Sequence, residues 1–551
     1  MKQIKERDEN KHKIAVTIAK HFGRLLSDRP NWDSHWQEVA ELFLPRKDDI
    51  HRDNVSGEKK GQKVFDATGP HVVELLASAL HSMLTNPINP WFELTTGVPS
   101  LDKDDEVRGY LQQVTDIMLL ALANSNFQTE IHELYLNLVT FGTGTMLIEE
   151  DEDTTVRFQT RDINEIFLEE NNKGFVDTVF RVFKWSVRNI VQEWGEEILE
   201  QDYELARLYE KEPERKMEII HVVFPTIRNS LGLENLVSKK VYKTTSVYVM
   251  KTKPVVLSMG GFREFPYVTP RWTKLSSEVY GRSPAMKVLP DVKMINEVEK
   301  TRIRAAQKVV DPPMQMPDDG ILLPLRLTPG GINYYRAGTQ DRIEPILTGG
   351  RPDLAENLIL DLRNRIREGF YIDQLQLNNN APQMTATEVI QRTEENLRIL
   401  SPILGRQQFE LLNPAIDRLY PIMDRAGKLP AAPEALQGTK VSVRYTSMIA
   451  RAQKTLAGEN FNRVMQIMTP MFSFDPTVID IFKLDKTAEH IAKAFGLPQE
   501  ILRNDAELAE LKKGREDAQS QEQQSQQNLN DAEVVNKVAP HIIDAQKNMQ
   551  G

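Results

Sequence analysis

Residues 283–313 read SPAMKVLPDVKMINEVEKTRIRAAQKVVDPP, and this stretch decides the architecture of the 551-residue chain. Ser283 can cap a helix, and Pro284 suits its first position because an N–H there has no helical partner. The apolar residues then recur at helical spacing: Val292, Ile295, Val298, Ile303, Ala306 and Val310. Pro290 predicts a kink or a restart, and the Asp-Pro-Pro at 311–313 forbids continuation. The part after Pro290 is predicted to be about 30 Å long.

A second helix is predicted on the far side of a Pro/Gly-rich excursion. Residues 311–350 contain short apolar runs between prolines and glycines, which indicate strands and loops. Pro352 then begins a helix whose apolar residues repeat every four positions: Leu354, Leu358, Leu362, Ile366 and Phe370. The sequence from 284 to 372 therefore predicts two long helices joined by a protruding tip.

An α+β region precedes this hairpin, and a mostly helical region follows it. Alternating apolar residues over 91–275 indicate strands, with helices predicted before and between them at 30–46, 65–84, 103–123 and 127–140. A helical pattern from 385 to 426 contains Pro402, Pro414 and Pro421, each of which predicts a kink or a break. A strand at 439–446, a helical region at 450–513 and a glutamine tract at 519–527 complete the chain.

Composition favours a folded protein made in the cytoplasm. Hydrophobic residues make up 40% and charged residues 27% of the chain. Its length predicts roughly two to four packed regions, since single cores stop growing near about 300 residues. The chain has no cysteine, which excludes disulfides and thiolate sites. The N-terminus lacks the apolar core of a signal peptide, and no apolar run approaches about 18 residues, so no membrane insertion is predicted.

Motifs for nucleotide and metal chemistry are missing from the sequence. The segment GEKKGQK at 57–63 has neither the spacing nor the hydroxyl residue of a phosphate-binding loop. His132-Glu133 lacks the second histidine of a zinc protease helix. No catalytic residue, metal or cofactor is therefore predicted, and the chain is expected to be structural rather than an enzyme.

Basic residues form a stripe on each helix of the hairpin, with members spaced by four positions. They are Lys300, Arg304 and Lys308 on the first helix, and Arg363 and Arg367 on the second. A solvated helix face, with Glu297 and Glu299 nearby, is the simpler explanation of the first stripe taken alone. The net charge of −10 has the wrong sign for a protein that wraps DNA, although it permits DNA to slide past.

Eight short blocks, taken in order, resemble one protein family over roughly 20–510. They are WDSHWQEVAELFLPR (32–46), FDATG (65–69), LASALHSMLTNPINPWFEL (76–94), FGTGTMLI (141–148), VYGRSP (279–284), LPDVKMIN (289–296), DPP (311–313) and TATEV (385–389). The chain resembles the portal, or head-to-tail connector, proteins of short-tailed double-stranded DNA bacteriophages. Each block is weak alone, and their order and spacing make the resemblance specific.

The resemblance implies an α+β ring subunit with a wing, a long-helix stem, a clip and a helical crown. The implied segments are an N-terminal α+β wing region (1–280), a stem helix (281–310), the clip (311–350), a second stem helix (351–372), a tunnel loop (373–384), a kinked wing helix with a return strand (385–449), the crown (450–513) and a Gln-rich flexible tail (514–551). The long C-terminal helical barrel of some members is not expected here. The ring, usually a dodecamer, would occupy one capsid vertex of the virion.

The resemblance also implies partners. Double-stranded DNA would pass through the ring without sequence specificity during genome packaging and ejection. The clip would meet the large terminase subunit and later the tail adaptor or head-completion proteins, and the ring would meet the major capsid and scaffolding proteins. Synthesis and assembly in the host bacterial cytoplasm follow, without membrane insertion.

Under this resemblance the basic stripes become stacked rings of cations, because every subunit contributes the same side chain to the channel wall. The uncharged sequence QLQLNNNAPQ at 374–383 is a candidate for a soft contact with DNA, since amides can exchange hydrogen bonds with passing phosphates. The DNA-channel candidates are Lys300, Arg304, Lys308, Arg363, Arg367, Gln374, Gln376, Asn378, Asn379 and Asn380. An ordinary polar surface loop is an equally weighted alternative for the uncharged sequence.

Two functional alternatives stay open. The acidic run at 149–153, followed by Asp162 and Glu165, contains the oxygen ligands that Mg²⁺ prefers, so a metal-dependent phage nuclease would use Asp151 and Asp162. A solvated turn is the favoured interpretation, because the run separates two predicted strands. The other alternative is a scaffold or interaction protein of the same particle.

Overall fold

The computed structural model describes residues 2–52, 55–227, 230–233, 242–315, 344–345, 354–375, 399–436 and 441–445, together with 488, 511–515, 517–518, 520–521 and 524. The chain divides into two compact units. The first comprises Met1–Phe92 and Val114–Pro430, and the second comprises Glu93–Gln113 and Ala431–Gly551. The expectations for most of 311–350, for 376–398 and for most of 450–551 concern segments outside the described residues.

The first half of the chain contains both helices and strands, as the sequence predicted, but the helices at 2–28 and 187–211 were not predicted. The helices described at both ends are α1 (Lys2–Asp28), α2 (Pro30–Phe43), α3 (Thr68–Leu84), α4 (Asp105–Asn124), α5 (Phe127–Phe141), α6 (Val187–Trp194), α7 (Glu197–Gln201), α8 (Tyr203–Lys211), α9 (Pro284–Val310), α10 (Leu354–Gly369), α11 (Ile372–Leu375) and α12 (Asn413–Arg425). The described strands are β1 (Phe92–Thr95), β2 (Thr145–Asp151), β3 (Thr155–Arg161), β4 (Ile166–Glu170), β5 (Val176–Ser186), β6 (Lys216–Pro225), β7 (Thr244–Met250), β8 (Val256–Phe262), β9 (Tyr267–Val268), β10 (Met314–Gln315), β11 (Glu344–Pro345) and β12 (Ser442–Tyr445).

The largest sheet of the first unit is an antiparallel meander with the strand order β4-β5-β6-β7-β8. A second sheet has the order β3-β2-β9. One face of the meander is apolar, because alternate residues of a strand point to the same face. Helix α1 covers this face. The buried residues of this contact include Ile14, Ile18 and Phe22 from α1, with Phe180, Ile220, Val222 and Val247 from the sheet.

The opposite face of the meander carries a buried polar row. Arg181, His221 and Tyr248 lie directly opposite one another on β5, β6 and β7. The ring of His221 stacks on that of Tyr248 with centroids 4.1 Å apart, and its Nε2 shares a hydrogen bond of 2.9 Å with Ser246 Oγ. Burial and the nearby arginines lower the pKa of His221 to about 3, so this imidazole is neutral in the folded chain.

Helix α9 is a single continuous helix of 27 residues, which spans about 40 Å. Of the two outcomes predicted at Pro290, the restart is excluded, because Pro290 lies inside the helix. The missing proline N–H removes one backbone hydrogen bond, and the burial of Val292 and Ile295 in the following turn offsets that loss. The predicted end before residue 311 is confirmed.

Helix α10 packs against α9 through the apolar repeat recognised in the sequence. Its buried residues are Ile359, Leu362 and Ile366, and Phe370, directly after the helix, is buried as well. Leu358, which the repeat placed on the same face, is 42% exposed. Gly369 lies directly against Val288 with no room for a Cβ atom, which allows the two helices to approach closely.

The helical segment that follows the hairpin is described from residue 399 onwards. Residues 399–407 are helical, Gln408–Leu412 form a π-helical turn, and α12 continues from there. The chain remains helical through Pro402 and Pro421, so of the two predicted outcomes, a kink or a break, the break is excluded at both positions. The π-helical turn at Gln408–Leu412 ends two residues before Pro414.

In the second unit, β12 lies within the strand predicted at 439–446 and pairs with β1. The carboxylate of Asp102 fixes the connection that leads from β1 towards α4. It accepts hydrogen bonds from Thr95 Oγ1 at 2.8 Å and from the N–H of Thr96 at 2.9 Å.

Candidate functional site at the start of the central helix

The first turn of α9 is fixed by Ser283, the cap that the sequence predicted. Its Oγ accepts a hydrogen bond from the N–H of Met286 (3.0 Å) and donates one to the carbonyl oxygen of Thr140 (2.8 Å). Thr140 belongs to the last turn of α5, so one hydroxyl caps α9 and ties it to α5. Helix α9 therefore begins from a buried, hydrogen-bonded anchor.

Two glycines allow the backbone after α5 to cross the backbone before α9. Gly142 has a φ of +79°, a left-handed conformation that ends α5 and that glycine adopts without strain. A Cβ atom on Gly142 would lie 2.7 Å from the carbonyl carbon of Gly281. The N–H of Gly281 donates to Thr143 Oγ1 (2.8 Å), and the N–H of Trp272 donates to the Gly142 oxygen (2.9 Å). The crossing requires glycine at both positions.

The side chain of Asn296 ties the FDATG segment to α9. Its Oδ1 accepts hydrogen bonds from the N–H groups of Phe65 (2.7 Å) and Asp66 (3.2 Å). Its Nδ2 donates to the carbonyl oxygen of Val292 at 2.8 Å. Asn296 is buried, so removal of the amide would leave backbone groups without partners inside the protein.

Trp36 attaches α2 to the same region. Its ring is fully buried, and its Nε1–H donates to the carbonyl oxygen of Phe141 at 3.1 Å. The ring of Tyr280 packs edge-on against it with centroids 5.0 Å apart. The guanidinium of the buried Arg29 lies 4.9 Å from the Trp36 ring centre, in reach of a cation–π contact.

Five segments, drawn from four separate regions of the chain, therefore meet around the first half of α9, and we call this cluster the helix base. They are 32–46, 65–69, 141–148, 279–284 and 289–296. Periodicity along the chain did not predict this meeting, because it reports only which face of each element is apolar. The available signal was the set of glycines in these segments, since glycine has no side chain to contribute to an apolar stripe: Gly69, Gly142, Gly144 and Gly281.

The basic residues predicted on α9 differ in their surroundings. Lys300 contacts Glu297 at 3.1 Å and lies 5.7 Å from the centre of the Phe65 ring. Arg304 and Lys308 are exposed, and neither forms an ion pair with the described residues. Exposure does not decide what they face, so contact with DNA stays a prediction for all three.

Arg363 of α10 takes part in a structural network. Its guanidinium contacts Asp66 (2.7 Å) and Glu299 (3.3 Å), which joins α10 to the FDATG segment and to α9. Burial by itself would raise the pKa of Asp66, but hydrogen bonds from Thr68 and Arg363 hold it below its ordinary value. The sequence placed Arg363 on a stripe, and the structure places its charge against two carboxylates.

Arg367 and the start of the uncharged sequence lie at the end of the hairpin. Arg367 contacts Asp373 at 3.3 Å, and both side chains are partly exposed. Gln374 is half-buried, and its Oε1 has no hydrogen-bond partner among the described residues. Gln376 and the asparagines at 378–380 lie outside the described residues, so the predicted contact with DNA stays a prediction.

Four carboxylates in and after the acidic run each contact a different partner. The pairs are Glu150 with Arg425, Asp151 with Thr154, Asp162 with Lys47, and Glu165 with Arg181. Residues 149–151 of the run end β2 and pair with β3, and residues 152–153 lie in the turn between the strands, so the turn that the sequence favoured covers only the end of the run. Across the described part of the chain, no three His, Cys, Asp or Glu side chains form a group that could hold a metal ion.

Sequence reasoning missed a buried arginine beside the helix base. Arg271 is 2% exposed, and its guanidinium pairs with Glu410 (2.9 Å) and with Glu170. It also donates to the carbonyl oxygens of Gly174 (3.1 Å) and Val279 (3.2 Å). Burial by itself would lower the pKa of Arg271, but hydrogen bonds and charges from the two glutamates raise it. The arginine is therefore charged inside the protein.

Comparison with known proteins assigns this architecture to a family. The family described as bacteriophage head to tail connecting protein matches residues 15–502. The chain belongs to this family. The resemblance found in the eight sequence blocks is thereby confirmed for this connecting protein.

Two portal proteins are similar to the connecting protein over most of its length. The probable portal protein of Bordetella phage BPP-1 is 31% identical over 517 residues, which cover 92% of each chain. The portal protein of Salmonella phage epsilon15 is 28% identical over 497 residues, which cover 88% of each chain. Among solved structures, a chain titled "Neck of empty GTA particle computed with C6 symmetry" has a TM-score of 0.36 at 9% identity, covering 72% of this chain and 86% of that chain.

These relatives confirm the coarse predictions. The connecting protein has the predicted α+β composition, and it is structural rather than enzymatic, as its relatives are named portal proteins. Within the described ranges, no helix combines the length and the apolar character that crossing a bilayer requires.

Proposed function

We propose that this connecting protein is the portal of its phage. It forms a closed ring, a dodecamer, at one capsid vertex at the head–tail junction of the virion. Double-stranded DNA passes through the ring during packaging and again during ejection. The observation that carries the proposal is the family match over residues 15–502, with two portal proteins similar along 92% and 88% of their lengths.

The long hairpin supplies the stem of the ring in this proposal. Helices α9 and α10 are the two stem helices, and the segment 311–350 between them is the clip. Residues 1–280 and 385–449 form the wing, 373–384 the tunnel loop, 450–513 the crown and 514–551 the tail. The helix base supports this assignment, because hydrogen bonds from Ser283 to Thr140 and from the N–H groups of Phe65 and Asp66 to Asn296 attach α9 to the wing.

The far half of α9 supports assembly into a ring. Ile303, Val309 and Val310 are 41%, 59% and 85% exposed in the single chain. Exposed apolar residues that cluster at one helix end are a typical sign of a protein interface. In a closed ring, each chain presents this end to its neighbours, and one heterologous contact is repeated until the ring closes.

Contact with DNA is assigned chiefly to the exposed cations of α9. Arg304 and Lys308 repeat in every subunit and form stacked rings of positive charge in a channel of otherwise acidic protein. Lys300 and Arg367 have carboxylate partners near the surface, and Arg363 is occupied by Asp66 and Glu299. The uncharged loop at 374–383 adds contacts that do not trap the DNA.

Other proteins of the particle meet the ring at its outer surfaces. The clip binds the large terminase subunit during packaging and the tail adaptor or head-completion proteins afterwards. The wing meets the major capsid and scaffolding proteins while the particle is assembled in the host bacterial cytoplasm. These partners follow from the portal role.

Images of the purified protein, viewed down the ring axis, test the proposal. Closed rings with a central hole are expected. Elongated oligomers without a hole would favour the scaffold alternative and overturn the portal role. Mg²⁺-dependent cleavage of duplex DNA, lost in Asp151→Ala and Asp162→Ala, would instead establish the nuclease.

A further inference from the structure

The turn between β4 and β5 presents an exposed aromatic residue on a rigid support. The N–H of Asn171 donates to the oxygen of Phe175 at 2.9 Å, and the N–H of Gly174 donates to the oxygen of Asn171 at 3.0 Å. Asn171 Oδ1 also accepts from the N–H groups of Lys173 (2.9 Å) and Phe175 (3.2 Å). The turn is therefore held in place, and yet the ring of Phe175 is 43% exposed.

A second exposed ring lies beside the first, and we call the two the aromatic pair. Phe409, in the π-helical turn at Gln408–Leu412, is 53% exposed, and its ring centroid is 5.4 Å from that of Phe175. The buried Arg271 binds the neighbouring Glu410 and so fixes the helix at this point. Exposed aromatic residues on rigid backbone are typical of protein interfaces, because they bury a large apolar area at a low cost in entropy.

Positive charge is in excess around the aromatic pair. Lys173 is exposed and forms no ion pair with the described residues. Asp177, two residues beyond Phe175, adds one carboxylate. Beneath the pair, three cations share two carboxylates: Arg271, Lys274 and Arg406 with Glu170 and Glu410. These side chains together comprise four cations and three carboxylates.

Helices α6–α8 lie at the opposite end of β5 from the aromatic pair. The pair adjoins the start of β5, whose 11 residues extend for about 35 Å. The three helices follow the end of β5 and pack on that end of the meander. The buried residues of this contact include Phe183, Ile219 and Met250 from the sheet, with Val187, Ile190 and Leu205 from the helices.

The corner between α7 and α8 presents an exposed aromatic residue with the opposite charge around it. Tyr203, the first residue of α8, is 83% exposed. Asp202 fixes its position, because this carboxylate accepts from the N–H of Glu204 (3.0 Å) and from Lys253 Nζ (2.9 Å). Four glutamates of the corner are exposed and form no ion pair with the described residues: Glu196, Glu197, Glu200 and Glu204. We call Tyr203 and these glutamates the acidic corner.

We propose that the aromatic pair of one chain docks against the acidic corner of the next chain around the ring. Tyr203 packs on the two phenylalanine rings, while Glu200 and Glu204 face Lys173. This inference rests on the proposed function and adds a contact in the wing to the one at the far end of α9.

The occupant is a second copy of this chain because the two surfaces complement each other. One is aromatic and basic, and the other is aromatic and acidic. They lie at opposite ends of one long strand, so they do not meet within a chain. A heterologous contact joins two different surfaces of identical chains and repeats until the ring closes, which is the arrangement that opposite ends allow.

Thiol crosslinking tests the contact in the purified full chain, which contains no cysteine of its own. Asn172→Cys places a thiol beside the aromatic pair, and Arg207→Cys places one a helical turn beyond Tyr203, both at exposed positions. With a short thiol crosslinker, a mixture of the two single-cysteine chains should give dimers that contain one chain of each kind. Either chain alone should stay monomeric on a denaturing gel, because a head-to-tail contact keeps the same residue of two chains apart.

Truncating the aromatic pair shows whether the rings carry the contact. Phe175→Ala with Phe409→Ala should lower the initial rate of crosslinking by roughly tenfold, as truncation of central interface aromatics does. The matched control is Ile88→Ala, which should keep the rate. Ile88 is 87% exposed, and its N–H donates to Asn86 Oδ1 at 2.8 Å in a similar turn that belongs to neither surface. An equal loss with the control would contradict the assignment.

Charge reversal shows whether the acidic corner is the surface that the aromatic pair meets. Lys173→Glu should lower the initial rate by roughly fivefold, because like charges then face each other. Glu200→Lys with Glu204→Lys in the chain that carries Arg207→Cys should restore it. Recovery requires these side chains to lie close together across the contact.

Three results would overturn the contact: an unchanged rate after truncation of the pair, crosslinking of either single-cysteine chain alone, or no recovery with the paired charge reversals. Circular dichroism checks that each variant folds, and the charge reversals decide if the truncated pair does not. Images down the ring axis separate this inference from the portal role. Rings without crosslinks overturn the contact alone, crosslinked open chains support the contact but contradict the portal, and a chain that stays monomeric overturns both.

Discussion

Replacing Gly142 by alanine tests whether the crossing of two backbones holds the helix base together. At a φ of +79° an alanine is strained by roughly 1–2 kcal/mol. Its Cβ would also lie 2.7 Å from the carbonyl carbon of Gly281 and 2.8 Å from that of Arg282, and only backbone movement relieves such contacts. Overpacking of this kind costs roughly 1–3 kcal/mol. The free energy of unfolding should therefore fall by about 2–5 kcal/mol in total.

The matched control is Gly427→Ala, at the end of α12. Gly427 has a φ of +65°, and nothing lies within 4 Å of the position its Cβ would occupy. This variant should lose only the conformational part, roughly 1–2 kcal/mol. Urea unfolding of the purified chain, followed by tryptophan fluorescence, measures both, because Trp36 and Trp272 lie in or beside the helix base. Equal destabilisation of the two variants would refute the argument for a close backbone crossing.

Three further predictions concern a buried histidine and the DNA candidates. His221 has a pKa of about 6.5 in the unfolded chain and about 3 in the folded chain. The stability that neutral His221 contributes is therefore complete above about pH 6.5 and is lost as the pH falls towards 3, by up to about 1.4 kcal/mol per pH unit. In urea titrations at pH 7 and 5, His221→Gln should therefore lose less stability than the parent chain, and equal losses would contradict this. Replacing Lys300, Arg304 and Lys308 together by alanine should change stability by less than about 1 kcal/mol but alter packaging or retention of DNA in particles. Normal particles would mean that the stripe faces a neighbouring subunit or solvent. Deleting residues 378–380 should leave ring assembly intact and reduce the DNA content of particles, and an unchanged content would count against the soft contact.

Much of the secondary structure was predictable, because its causes are local. Ser283 and the Asp-Pro-Pro at 311–313 marked the two ends of α9, and the alternation in 145–160 marked the β2–β3 hairpin. The sequence predicted a kink or a restart at Pro290, and it could not exclude the restart, because the cost of one missing hydrogen bond competes with packing that the sequence pattern does not quantify. For the same reason, the sequence could not exclude breaks at Pro402 and Pro421, where the chain remains helical.

The candidate site was predictable only in part. The stripe spacing correctly identified exposed cations at Arg304 and Lys308, since surface position follows from helical periodicity. The same spacing could not reveal that Arg363 pairs with Asp66, a residue 297 positions away. Arg271, in a short and irregular segment, carried no periodic signal at all.

The sequence by itself determined the family, the helical hairpin, the absence of cysteine chemistry and the net negative charge. These depend on residue identity and on forces that act within a few positions of the chain. Only the tertiary structure decided that segments from four separate regions of the chain meet at the helix base, which cations have carboxylate partners, and that Glu410 reaches Arg271 across 139 positions. The physical reason is that buried hydrogen bonds and ion pairs need both partners in place, and the fold alone brings distant partners together.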